Sequence, residues 1–120
     1  KHTAYVLGNA DMPGFSKADQ NVLSLLTLGH QGRLDKINPY TPTRNQWLAL
    51  LCLRLAALFL RRRQLINPEI LKLEADKKTI SVIISSKWLA HHPLTQYSLN
   101  LEASEWKQAD ANFTFKVVPE

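Results

Sequence analysis

Arg61-Arg-Arg-Gln-Leu-Ile-Asn67-Pro68-Glu-Ile-Leu71-Lys-Leu-Glu74 is the stretch at which the period of the apolar residues changes. Up to about Gln64 they recur at helical spacing, and from about Leu71 they alternate with polar residues as strands do. Pro68 disfavours helix in the residue before it. Asn67-Pro68 therefore divides a helical part, residues 1–66, from a smaller part, residues 67–120. The expected fold class is α+β: helices first, then a small antiparallel sheet of about four strands with short helices.

Working upstream, Arg44 to about Arg63 reads as a helix that is apolar nearly all round, through Leu48, Leu51, Leu55, Leu58 and Phe59, and a helix without a polar face is a central one. Thr43-Arg-Asn-Gln46 has the form of a capping box at its start, and Arg61-Arg-Arg63 complements the negative charge of its end. Ser16-Lys-Ala-Asp19 is a second capping box, opening a helix through Val22, Leu25 and Leu26 that Gly29 and Gly32 terminate. Before it, Pro13-Gly14 signals a turn, and Tyr5-Val-Leu7 reads as the last turn of a first helix, with Gly8 or Asn9 suited to a left-handed cap. The chain opens on Lys1 rather than Met, so the segment reads as part of a longer protein.

Downstream, Leu71 and Leu73, the turn Asp76-Lys-Lys78, and Ile80, Val82 and Ile84 form the pattern of a hairpin. Ser86 is placed to cap a short helical turn through Trp88 and Leu89 that Pro93 ends. Tyr97, Leu99 and Leu101 alternate as a third strand, Glu102 to Ala109 reads as a short helix around Trp106, and Phe113, Phe115 and Val117 as a fourth strand.

Composition narrows the class. The 120 residues are 45% apolar with a net charge of +5, enough to fold as a small unit and basic enough to favour a polyanionic partner; plain solubility accounts for such a charge equally well. The single cysteine, Cys52, lies between Leu51 and Leu53 and is expected to be a small buried hydrophobe. It cannot form a disulfide within the chain, and a reducing cytoplasm follows as the expected compartment. The apolar run from Trp47 to Leu60 is interrupted by Arg54 and is shorter than the roughly 20 residues of a bilayer span, so no membrane span is expected.

No catalytic constellation stands out. There is no phosphate-binding glycine loop, no nucleophile elbow and no His-Asp pair. His2 and His30 close off the first helical hairpin and Asp11 lies between them, but two histidines make a poor metal site where three protein ligands are usual. His91-His92 belong to an exposed turn, and Trp88 and Trp106 to the core of the small sheet. Basic residues with interleaved aromatics, as single-strand nucleic-acid binders use, are lacking, and no specific nucleic acid is expected. The arginines remain: Arg61, Arg62 and Arg63, whose planar forks match phosphate oxygens, and Arg54. A charge inside an apolar run must be paired, and Arg54 is expected to meet a carboxylate elsewhere in a longer protein or a polyanion.

The opening residues His2-Thr-Ala-Tyr5 and Asn9-Ala-Asp-Met-Pro-Gly-Phe-Ser16 closely resemble the exopolyphosphatase/guanosine pentaphosphate phosphohydrolase family, and Leu53-Arg-Leu-Ala56 is similar to that family's Leu-Arg-Leu-Ala helix. Past residue 70 the likeness is one of layout. The resemblance implies a parent hydrolase of terminal phosphoanhydride bonds, with Mg²⁺ and a catalytic carboxylate in two actin-like domains outside this segment. It places residues 1–66 in the latter part of an HD-like helical domain and 67–120 in a small C-terminal domain. It implies an accessory role here: no catalytic residue and no cofactor or metal of its own, a homodimer, and binding of inorganic polyphosphate or guanosine pentaphosphate. The candidate polyanion contacts are His30, Arg33, Arg54, Arg61, Arg62 and Arg63, although Gln31 and Gly32 stand where the family carries basic residues. A purely structural interaction module, its charges incidental, is the alternative.

Overall fold

The computed structural model describes residues 2–11, 14, 16–61 and 69–120. Helices α1 (His2–Asn9), α2 (Lys17–Gly29) and α3 (Arg44–Arg61), with a 3-10 turn at Asp35–Tyr40, precede strands β1 (Leu71–Ala75) and β2 (Thr79–Ile84), helices α4 (Ser86–Ala90) and α5 (Pro93–Lys107), and strand β3 (Thr114–Pro119). The fold is α+β, as the change of period predicts.

Both capping boxes form. Ser16 Oγ accepts from Asp19 N at 3.0 Å while Asp19 Oδ2 accepts from Ser16 N at 3.3 Å. Thr43 Oγ1 accepts from Gln46 N at 3.2 Å, and Gln46 Oε1 accepts from Thr43 N at 2.9 Å. Each box satisfies amide groups that the first turn of a helix leaves without carbonyl partners. The first helix ends differently from expectation: Gly8 and Asn9 are both helical, and Asn9 Nδ2 donates to Tyr5 O at 2.9 Å. Gly8 serves a close approach, since a Cβ there would lie 3.1 Å from Ser24 Oγ on α2. Pro13, the expected turn proline, lies outside the described residues.

The sheet has three strands among the described residues, in the order β1-β2-β3. β1 and β2 form the expected hairpin, Leu71 opposite Ile84 and Leu73 opposite Val82, but β2 and β3 are parallel, so the sheet is mixed rather than antiparallel. The expected strand at Tyr97, Leu99 and Leu101 is instead the middle of α5. Pro93 starts that helix rather than ending one, because a proline at the first helical position has its φ preset and its missing N–H was without a partner in any case. The residues that α5 buries are Thr95, Leu99 and Trp106, at helical spacing, while Tyr97 and Leu101 are exposed. The alternation read there is coincidental, and α4 with α5 supplies the long connection that two parallel strands require. α4 is capped by Ser85, whose Oγ accepts from Trp88 N at 3.2 Å, one residue before the predicted cap.

One buried cluster joins the two parts of the sequence, running from Leu25, Leu34 and Ile37 through Trp47, Leu50 and Leu58 to Val82, Leu99, Trp106 and Phe115. Trp47 and Trp106 meet edge to face with centroids 5.6 Å apart, an aromatic geometry worth about 0.5–1.5 kcal/mol beyond area burial. The helix α3 is central, as predicted, but it is not buried all round: Ala49, Leu53, Ala56 and Leu60 face outward, and Cys52 is exposed with them. The expectation of a buried Cys52 fails because its position falls on the side of α3 opposite the Trp47, Leu51, Leu58 face.

Candidate functional site

The C-terminal end of α2, the last turns of α3 and one side of α5 enclose an open groove of about 620 Å³. His30, Arg33, Arg54 and Arg61 all line it, joined by Tyr97, Glu102 and Glu105. Four of the six sequence candidates thus come together. Arg62 and Arg63 lie outside the described residues.

Arg54 is buried, and its partner lies within the chain rather than in a missing segment. Its Nε donates to Glu102 Oε2 at 2.6 Å and its Nη2 to Glu102 Oε1 at 3.0 Å, a bidentate pair with 7% and 11% of the two side chains exposed. Nη1 donates to Gly29 O at 2.9 Å. Trp106 Nε1 donates to Glu102 Oε2 at 2.9 Å. Every buried polar atom of this network among the described residues has a partner, the condition under which a charge pair persists in an apolar surrounding. Gly29, expected to terminate α2, is its last residue and has a second function: a Cβ would lie 2.7 and 2.9 Å from the Leu50 methyls. The absent side chain lets α2 settle on α3 closely enough for Arg54 to reach the carbonyl.

The mouth of the groove is more exposed. Arg33 forms an ion pair with Asp35, whose carboxylate raises the guanidinium pKa still further and keeps the group charged at any working pH. Arg61 is exposed in the last turn of α3. His30 Nδ1 lies 2.6 Å from Thr27 O; a carbonyl only accepts, so Nδ1 carries the proton. Glu105 Oε1 accepts from Leu34 N at 2.6 Å, anchoring the loop before the 3-10 turn to α5. Glu102 and Glu105 were not legible as groove residues, because sequence reasoning placed Glu102 at the start of a separate helix. The only available signal was the need of Arg54 for a carboxylate.

Among the described residues no group of three or more His, Cys, Asp or Glu side chains is arranged to hold a metal ion, and His91 and His92 bond instead to the carbonyls of Lys87 and Trp88 at 2.8 Å each. The side chain of His2 lies outside the described set. No helix among the described residues is long and apolar enough to cross a membrane.

A profile described as Ppx/GppA phosphatase, domain III, matches residues 1–103. The chain belongs to the Ppx/GppA phosphatase family. A guanosine-5'-triphosphate,3'-diphosphate pyrophosphatase of Vibrio atlanticus (strain LGP32) is 32% identical over 121 residues, an alignment covering 98% of this chain and 24% of that protein. The chain thus spans about a quarter of the length of this curated Ppx/GppA relative. The family match covers all three helices of the first part, and in the second α4 and α5 as far as residue 103, so it takes in the groove residues through Glu102 and stops short of Glu105.

Proposed function

We propose that the chain is an accessory segment of a phosphoanhydride hydrolase acting on guanosine pentaphosphate or inorganic polyphosphate, and that its groove binds the polyanionic substrate while Mg²⁺-dependent chemistry takes place in other domains. The observation that carries this reading is the similarity over nearly the whole chain to a pyrophosphatase of a polyphosphorylated guanosine, in a chain with a net charge of +5. The convergence of His30, Arg33 and Arg61 on one groove supports it. In this reading Arg61, with Arg62 and Arg63, meets phosphate oxygens directly. Arg54, with all three of its guanidinium nitrogens engaged, holds the groove wall in place. The protein acts as a cytoplasmic homodimer, its helical part corresponding to 1–66 and its small C-terminal part to 67–120.

Charge decides how strong such binding is. Glu102 and Glu105 share the groove with the arginines, so the net positive potential is modest and contacts made by exposed arginines weaken as salt shortens the Debye length from about 30 Å at 0.01 M to about 10 Å at 0.1 M. Titration of the intact protein with polyphosphate chains tests the reading. Binding at low salt that falls when Arg61, Arg62 and Arg63 are all changed to Ala is expected. Absence of binding at low salt, or indifference to the triple change, removes it.

A further inference from the structure

The sheet ends at β1 in an edge whose sequence is complementary to itself. The register puts Leu71, Leu73 and Ala75 on the same face as Ile84, Val82 and Ile80 of β2. Val82 is fully buried there, yet Leu73 beside it is 56% exposed, so the helical cover stops short of the edge strand. Ser85 N donates to Ile70 O and Asp76 N to Thr79 O, which marks the 70–85 and 76–79 positions as hydrogen-bonded pairs. Such pairs alternate along an antiparallel ladder. Lys72 and Glu74 therefore direct their backbone groups at β2, whereas Leu71, Leu73 and Ala75 direct theirs away from the sheet. No strand among the described residues pairs with that side of β1.

We propose that β1 is the homodimerisation edge: two copies of the chain pair their β1 strands antiparallel about a two-fold axis at Leu73, joining two three-stranded sheets into one. This deepens the homodimer reading above and rests on it. In that register Leu73 exchanges both backbone hydrogen bonds with Leu73 of the second copy, and Leu71 stands opposite Ala75. Lys72 stands opposite Glu74, and Glu74 opposite Lys72, at the non-hydrogen-bonded positions where side chains come closest. Both charged residues are exposed and available, and the two Leu73 side chains cover one another on the inner face. An axis at Lys72 or at Glu74 would set like charges opposite each other, whereas the axis at Leu73 sets Lys72 and Glu74 opposite one another at both contacts, so charge favours that register. The other edge, β3, carries Lys116 without an acidic neighbour and ends in Pro119, which has no N–H to donate.

Sedimentation of the intact protein tests the proposal. Lys72→Glu and Glu74→Lys, each alone, place like charges at both contacts and are expected to weaken dimerisation about tenfold or more. Both positions are exposed, and circular dichroism confirms that each variant folds. Mixing the two variants in equal amounts restores the dimer, because one chain then presents two glutamates to the other's two lysines. If the wild type dimerises and neither change weakens it, the dimer uses another surface: this inference falls and the homodimer reading stands. Single variants that dissociate but do not recover on mixing overturn the paired register. A wild type that stays monomeric at all concentrations overturns both readings.

Discussion

Glu102 accepts from Arg54 twice and from Trp106 once while 11% of its side chain remains exposed, so a single carboxylate couples α3 to α5 beneath the groove. Removing its charge by Glu102→Gln leaves the Arg54 guanidinium buried without a counter-ion. The expected loss is about 3–5 kcal/mol of stability, read from the denaturation midpoint at constant slope. Arg54→Met with Glu102→Leu recovers only part of it, because Trp106 Nε1 and Gly29 O are then left without partners at about 1–3 kcal/mol each. At Gly29 two effects oppose. Gly29→Ala gains about 1 kcal/mol of helix propensity, but its Cβ meets the fully buried Leu50 methyls at 2.7 and 2.9 Å, and overpacking of that kind costs about 1–3 kcal/mol. Net destabilisation is expected, checked by thermal unfolding.

The β1–β2 hairpin is closed by its turn and braced by a helix. Asp76 Oδ1 accepts from Lys78 N and Thr79 N at 2.8 Å each, bonds that hold its carboxyl pKa below the ordinary aspartate value. Arg44, in the first turn of α3, donates to the carbonyls of Asp76 and Lys77 at 2.8 and 3.0 Å and lies over the Phe113 ring. A carboxyl whose folded pKa is depressed stabilises the fold above the unfolded pKa, and that contribution is lost as pH falls through the folded value. The stability difference between wild type and Asp76→Asn is therefore expected at neutral pH and to shrink below about pH 4. Denaturant midpoints measured across that range check the sign; a gap that widens on acidification is the contrary result. At this scale the sequence was a reliable guide to the starts of α2 and α3 and to the hairpin, because capping boxes and two-residue alternation are local. It misread α5, where Pro93 and the alternating Tyr97, Leu99 and Leu101 fit both a strand and a helix, and only burial against Trp47 and the sheet favours the helix.

For the whole molecule, the groove brings charge from three separate helical segments together, and the proposed binding of polyphosphate there is expected to weaken as salt rises from about 0.01 to 0.1 M, the range over which the Debye length contracts to about 10 Å. Isothermal titration at the two ionic strengths reads this, and a salt-independent affinity would indicate contacts that are not made by exposed arginines. The sequence alone determined the α+β class, the starts of α2 and α3, the central place of α3 and the membership suggested by the opening motif, all of which rest on local pattern. The tertiary structure decided what local pattern does not encode: that Arg54 finds Glu102, that β3 joins the sheet in parallel, that Cys52 is exposed and Leu73 is not fully covered. Each depends on residues far apart in the chain meeting at a packed contact, and burial energy rather than local propensity selects which of them meet.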